Sequence, residues 1–212
     1  MKIQKQLILI LSLFSVILCQ AQDRSQEILD ELAQKTNAAK NIQIAFSYEM
    51  QNVDADIHES TAGSLVVSGD KYILKIAGQE IISDGKTIWT YIEEAGEVQI
   101  NEVDAEESFS PTKLLSSYTA DYEASLEKEF TENNLNYYLM KLIPKDKDSG
   151  FDFVNLKIEK SKMQLSAFIL YDFDNNVFSY LIKDYITNVS LPTNAFSFDA
   201  SKYPDVDIID MR

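Results

Sequence analysis

The chain has 212 residues, 45% of them hydrophobic, and 34 acidic against 19 basic side chains give it a formal charge of −15. That apolar content excludes a disordered tail. The negative charge repels nucleic acid and anionic headgroups at long range, which excludes a binder working through a basic patch. One cysteine and one histidine leave no internal disulfide and no ordinary zinc centre.

In chain order, Lys2 and Lys5 precede a mostly apolar run from Leu7 to Leu18, and Cys19-Gln20-Ala21 puts small residues at the −3 and −1 positions of a signal-peptidase site. The run is short of the ~20 residues that span a bilayer. Residues 1–21 are therefore expected to be a cleaved export signal, and residues 22–212 a single domain. The alternative is lipidation of Cys19, which requires a small residue just before the cysteine, where Leu18 stands. Cleavage would remove the only cysteine together with Lys2 and Lys5, taking the formal charge to −17. The expectation is a monomer in the periplasm that does not itself span the membrane.

From Asp23 to Lys40 the pattern is that of an amphipathic helix. Ile28, Leu29, Leu32, Ala33 and Thr36 share one stripe, and Asp23 with Gln26 is spaced as a capping box. The period then drops to two. Ile42, Ile44, Phe46, Tyr48 and Met50 alternate with Gln43, Ala45, Ser47 and Glu49, which predicts a strand with one apolar face. Further strands are predicted over Gly63–Ser68, Tyr72–Ile76, Gln79–Ser83, Thr87–Glu93 and Glu97–Val103, then Tyr122–Thr131, Leu135–Ile143, Phe153–Glu159, Gln164–Tyr171 and Val177–Ile186. Turn residues such as Gly69-Asp70, Asp84-Gly85 and Asn133-Asn134 separate them. Between the two groups, Ser110-Pro111 begins a short helix to about Ser117, with Leu114 and Leu115 on its apolar side. Close turns without βαβ crossovers predict a mainly β fold: an unclosed, strongly bent antiparallel half-barrel with helices across its mouth.

The segment Ser83-Asp84-Gly85-Lys86-Thr87-Ile88-Trp89-Thr90-Tyr91 resembles the signature hairpin of the LolA family of periplasmic outer-membrane lipoprotein carriers. The order around it is similar too: an amphipathic helix, an alternating strand, a Gly63-Ser64-Leu65-Val66-Val67 hairpin, the Ser110-Pro111-Thr112-Lys113-Leu114-Leu115 helix, and late Leu191-Pro192 and Phe196-Ser197-Phe198. The resemblance covers about residues 22–209. It implies a non-catalytic carrier with a hydrophobic interior, a helical lid and a late Phe-x-Phe strand. The implied partners are acylated lipoproteins, an inner-membrane lipoprotein-releasing transporter and an outer-membrane acceptor. Enteric members latch the lid with a basic residue followed by proline. Here the corresponding turn is Ser68-Gly69-Asp70-Lys71, and a lysine lacks the bidentate fork of a guanidinium.

A carrier must keep hydrocarbon dry. At about 0.8 kcal/mol per methylene, one 16-carbon chain represents roughly 12 kcal/mol, so the lining must be apolar and open. Candidate lining residues are Ile44, Phe46, Tyr48 and Met50, then Leu65 and Val67, Leu74 and Ile76, with Trp89 and Tyr91 at the same space or its rim; Leu114 and Leu115 would close the lid. Periodicity leaves open which face of strand 88–92 points inward, because Ile88, Trp89, Tyr91 and Ile92 populate both. Taken alone, such alternation is what any half-buried strand shows and reads as core packing; only the family resemblance turns it into a lining for cargo.

Catalytic chemistry finds little support. His58 is the only histidine, reads as a solvated loop residue, and no Gly-x-Ser-x-Gly elbow presents a nucleophile. Adjacent acids such as Glu93-Glu94 and Glu106-Glu107 point to opposite faces of a strand. No metal site, cofactor or phosphate loop is expected. Two non-enzymatic alternatives stay open: a carrier of another lipid, and an envelope sensor or interaction domain on the same fold.

Overall fold

The computed structural model describes residues 24–103, 121–203 and 205–212. Helix α1 spans residues 24–37 and so ends three residues short of the expected Lys40, with the whole apolar stripe inside it. Ser25, Ile28, Leu29, Leu32 and Thr36 are its buried positions, spaced by threes and fours as one helical face demands. The proposed capping residue Asp23 lies outside the described residues, and Gln26 donates instead to Asp30 one turn on (2.9 Å).

Among the described residues twelve strands follow: β1 (Ile42–Asn52), β2 (Ile57–Ser68), β3 (Lys71–Ile76), β4 (Gln79–Ser83), β5 (Thr87–Ile92), β6 (Glu97–Glu102), β7 (Tyr122–Glu132), β8 (Leu135–Pro144), β9 (Phe153–Glu159), β10 (Gln164–Tyr171), β11 (Asn176–Thr187) and β12 (Asp207–Asp210). They form one sheet in the order β12-β6-β5-β4-β3-β2-β1-β11-β10-β9-β8-β7, whose two ends do not meet. Two meanders, β1–β6 and β7–β11, are thus joined through β1 and β11 into an open half-barrel. Asn41 and Asn188 clamp that seam. The Asn41 side chain donates to the carbonyl of Val189 (3.0 Å) and accepts from its amide (2.8 Å), while Asn188 Oδ1 accepts from Lys40 N (2.8 Å).

The core lies between α1 and the inner face of the sheet. Leu29 and Leu32 pack there with Ile42, Ile44 and Phe46 of β1, Val67 of β2, and Met140, Leu142, Val154, Leu156, Ile158, Leu165 and Phe168 of β8–β10. Each such side chain, fully buried, contributes about 1.5–3 kcal/mol. The helix start is pinned where β7 bulges between Leu126 and Lys128: Leu126 N donates to Ser25 Oγ (3.0 Å).

Three local expectations are corrected. β2 begins at Ile57 rather than Gly63, so the exposed His58 sits on a strand opposite Gln51, because pairing with the long β1 extends the ladder. Residues 195–198 form turns rather than a strand. The late strand is instead β12, unanticipated, which pairs in parallel with β6. The Ser110–Ser117 helix, with Leu114 and Leu115, and the export signal lie outside the described residues.

Candidate functional site: the inner face of β1 to β5

Directly opposed residues of an antiparallel ladder share a face, so the register fixes which side chains look toward α1. Ile44 opposes Leu65, Leu65 opposes Leu74, and Leu74 opposes Ile81. Beside this row run Ile42–Val67–Tyr72–Ser83–Ile88 and Phe46–Gly63–Ile76. The candidates on β1, β2 and β3 therefore share the inner face. Their burial grades across it. Ile44, Phe46 and Val67 are buried, whereas Leu65, Leu74, Ile76, Ile81 and Ile88 are half-buried, away from the strands that α1 covers. The apolar surface ends toward β6, where the inner row continues through Thr90 to Gln99.

Tyr48 and Met50 continue the inner face past Phe46 and are half-buried. Tyr48 joins a ring cluster around Tyr180, whose ring centroid lies 5.2 Å from that of Tyr48, 5.7 Å from Phe46 and 5.9 Å from Phe168. Burial, and secondarily Tyr48, pushes the Tyr180 phenol up to about 12. It stays neutral and packs as an aromatic with a polar tip. Tyr180 and Phe168 escaped sequence reasoning because their strands carry apolar residues on both faces. So did Ile81 and Ile88, each beside an apolar neighbour of opposite orientation.

Trp89 and Tyr91 are not part of this surface. Trp89 opposes Ile82 and Tyr91 opposes Glu80, and both rows lead back through β3 and β2 to the exposed Gln43 and Ala45 on the outer face. The reason is a second packing layer. After β11 the chain returns across the outside of β4–β6, where Tyr203 contacts the Tyr91 ring (4.7 Å), stacks with Phe198 (5.3 Å) and donates to Glu80 Oε2 (2.9 Å). On this side Ile82, Val98 and Ile100 are buried, and Val98 is the cross-strand partner of Tyr91. Burial and the Glu80 carboxylate push the Tyr203 phenol up to about 12.

The signature turn is built on Asp84. Its Oδ1 accepts from Thr87 N (2.8 Å) and Lys86 N (2.9 Å), and these amides, Thr87 first, hold the carboxyl below its usual range. Gly85 adopts φ 88°, and a side chain there would meet Cβ of Asp70, so the two hairpin turns touch. Lys71 from the neighbouring turn adds its charge to the stabilisation of Asp84. Among the described residues no group of three or more His, Cys, Asp or Glu side chains is placed to hold a metal ion, and no helix is long and apolar enough to cross a membrane.

Residues 37–199 match the family model described as outer membrane lipoprotein carrier protein LolA. The outer-membrane lipoprotein carrier protein of Neisseria meningitidis is 29% identical over 129 residues, and that of Neisseria gonorrhoeae 28% identical over the same length. In each case the match takes in 60% of this chain, and the chain spans about 60% of the length of these curated relatives. Among solved structures, an uncharacterized conserved protein from Thermus thermophilus has the same fold, with a TM-score of 0.60 at 13% identity, covering 88% of this chain and 99% of that one. With the half-barrel, its helix and the aligned apolar inner face, these matches place the chain in the LolA family of outer membrane lipoprotein carrier proteins.

Proposed function

We propose that this protein binds the acyl chains of lipoproteins on the inner face of its half-barrel and carries them through the periplasm from inner to outer membrane. The observation that carries this reading is the half-buried apolar surface of Leu65, Leu74, Ile76, Ile81 and Ile88, continuous with the core yet short of full burial. Ordinary cores close such surface. A carrier keeps it available, because each methylene withdrawn from water is worth about 0.8 kcal/mol. Cargo is bound and released without a chemical step. Residues 1–21 direct export and are removed, leaving a single carrier domain. Its cargo is collected from a releasing transporter at the inner membrane and handed to an acceptor at the outer membrane.

Leu114 and Leu115 act as the lid. They lie in the stretch that links β6 to β7, strands toward opposite ends of the sheet order. Leu114→Glu is expected to abolish binding of an acyl probe with under ~1 kcal/mol change in stability, as for a residue outside the main core. Unchanged binding would remove that segment from the site. Native mass spectrometry of protein isolated from its own periplasm tests the whole reading. A co-purifying acylated polypeptide is expected. Extractable lipid without polypeptide would make the protein a small-lipid carrier, and no cargo of either kind would end the carrier reading.

A further inference from the structure

The β1–β2 hairpin is longer than the strands beside it. β1 and β2 pair without a break from Ile42↔Val67 to Asn52↔Ile57, yet β3 pairs with β2 only from Ser68↔Lys71 to Gly63↔Ile76. Residues 57–62 thus have β1 on one side and, among the described residues, no strand on the other. The Gly69-Asp70 turn makes Ser68–Lys71 a hydrogen-bonded pair, so strict alternation along an unbulged strand turns the N–H and C=O of Ala62, Ser60 and His58 outward. Of these, the Ala62 carbonyl meets the Thr61 hydroxyl at 3.5 Å. The residues from His58 to Ser60, and Ala62, are exposed.

Exposed edges are normally blunted. The two ends of this sheet follow that rule: β7 is bulged and carries Glu123, Glu127, Lys128, Glu129 and Glu132, and β12 is four residues long with an aspartate at each end. The 57–62 edge has no proline, no lysine and no bulge, and Glu59 is its one acidic residue. It also borders a cleft of about 480 Å³ whose lining includes the small residues Ala62, Gly63, Ser64, Ala77 and Gly78. The β3–β4 turn there is tight, with Ala77 at φ 49° and Gly78 at φ 74°, which keeps the space beyond Ile76 clear.

We propose that this edge is a strand-addition site for the extended segment that follows the acylated N-terminus of a cargo lipoprotein, paired antiparallel to β2. The proposal rests on the carrier reading and adds recognition of the polypeptide to it. Direction argues for this occupant. A strand antiparallel to β2 continues the line of β3, so it starts beside Gly63 and Ile76 and runs toward Ile57. Its N-terminus is then adjacent to the apolar surface of Leu65, Leu74 and Ile76, where acyl groups attached to that N-terminus would lie. A parallel strand would put them at the far end, some 20 Å away at about 3.4 Å per residue. Charge favours a basic or neutral segment: Glu80 and Glu93 line the cleft, and its one lysine, Lys75, is already paired with Glu80 (3.0 Å).

The test compares three probes on the full mature chain: sodium palmitate, an N-palmitoyl decapeptide of Ser, Thr and Lys, and the same lipopeptide N-methylated at alternate backbone amides. The unmodified lipopeptide is expected to bind about tenfold more tightly than the other two, since added backbone hydrogen bonds are what distinguish it. It alone should slow amide exchange at His58, Ser60 and Ala62. Ser60→Pro removes one outward N–H without touching the ladder to β1, so it should keep palmitate binding and lose the lipopeptide advantage. Equal binding of all three probes without slowed exchange overturns the edge site and leaves the carrier reading standing. Binding of none overturns both. Slowed exchange that depends on protein concentration in the absence of peptide assigns the edge to a second copy of this chain and overturns the proposal. Should Ser60→Pro not fold, the exchange measurement on the unaltered protein decides alone.

Discussion

Gly63 is bare because the Phe46 ring stands over it: a side chain there would run into that ring and approach the Lys75 carbonyl at 3.0 Å. Gly63→Ala should cost about 1–3 kcal/mol as overpacking. Phe46→Leu in the same chain should recover part of that loss, because residues in contact are not additive; urea denaturation of the two single variants and the double variant measures the coupling. Asp84 illustrates a charge whose value depends on pH. Its carboxyl is held below the ordinary 3.8, so its contribution is complete above that value and is lost as pH falls through the depressed one. Asp84→Ala should therefore lower stability by about 1 kcal/mol at pH 7. The gap from the unaltered protein should narrow steadily below pH 4, read from urea midpoints along a pH series. A constant gap would mean that the turn geometry, not the charge, carries the effect.

At the scale of elements, the same strands serve two layers. β4 and β5 present Ile81 and Ile88 inward and Ile82 and Trp89 outward, and the segment ending in Tyr203 packs against the outer side. Only the inner layer is available to cargo in the carrier reading. The emission of Trp89, the one tryptophan, should consequently stay unchanged when palmitate saturates the protein. A tryptophan placed inward by Leu74→Trp, with Trp89→Phe to remove the background, should shift to the blue as water leaves its surroundings. The opposite pair of responses would put the hydrocarbon on the outer face. Helix α1 divides the inner face in a similar way: the core around it takes in Ile42, Ile44 and Phe46 of β1, Val67 of β2 and the buried residues of β8–β10, and Leu65, Leu74, Ile76, Ile81 and Ile88 stay half-buried.

At the scale of the molecule, the surplus of carboxylates works against compactness. With a formal charge of −15 on the whole chain, raising NaCl from ~0.01 M to ~0.3 M should raise the thermal midpoint by a few degrees, about 2–4 °C, as the screening length contracts below the spacing of the surface charges. Calorimetry at the two salt concentrations checks this, and a falling midpoint would show that attractive pairs such as Lys75–Glu80 outweigh the repulsion. The unclosed sheet has its own consequence. Its two ends are protected by a bulge, charge and brevity, so pairing with another chain is directed to the stretch of β2 that β3 does not reach.

The amino-acid order alone determined most of the elements, because each of these carries its own period and punctuation: threes and fours in α1, alternation in β1, and glycine or asparagine where turns need a positive φ at Gly69, Gly85 and Asn134. It also determined that Ile44, Leu65 and Leu74 were apolar residues of alternating strands. What it could not determine was orientation in β5, since Ile88, Trp89, Tyr91 and Ile92 fill both faces and a one-residue shift in register exchanges them. Long-range pairing decided that, together with the C-terminal segment that gives Tyr91 an aromatic partner in Tyr203. The same holds for β12 and for the overhanging edge of β2. β12 exists because a segment distant in sequence is brought beside β6, and the β2 edge because β1 and β2 outrun the shorter β3; the hydrogen bonds that define an edge belong to the pair and not to either strand.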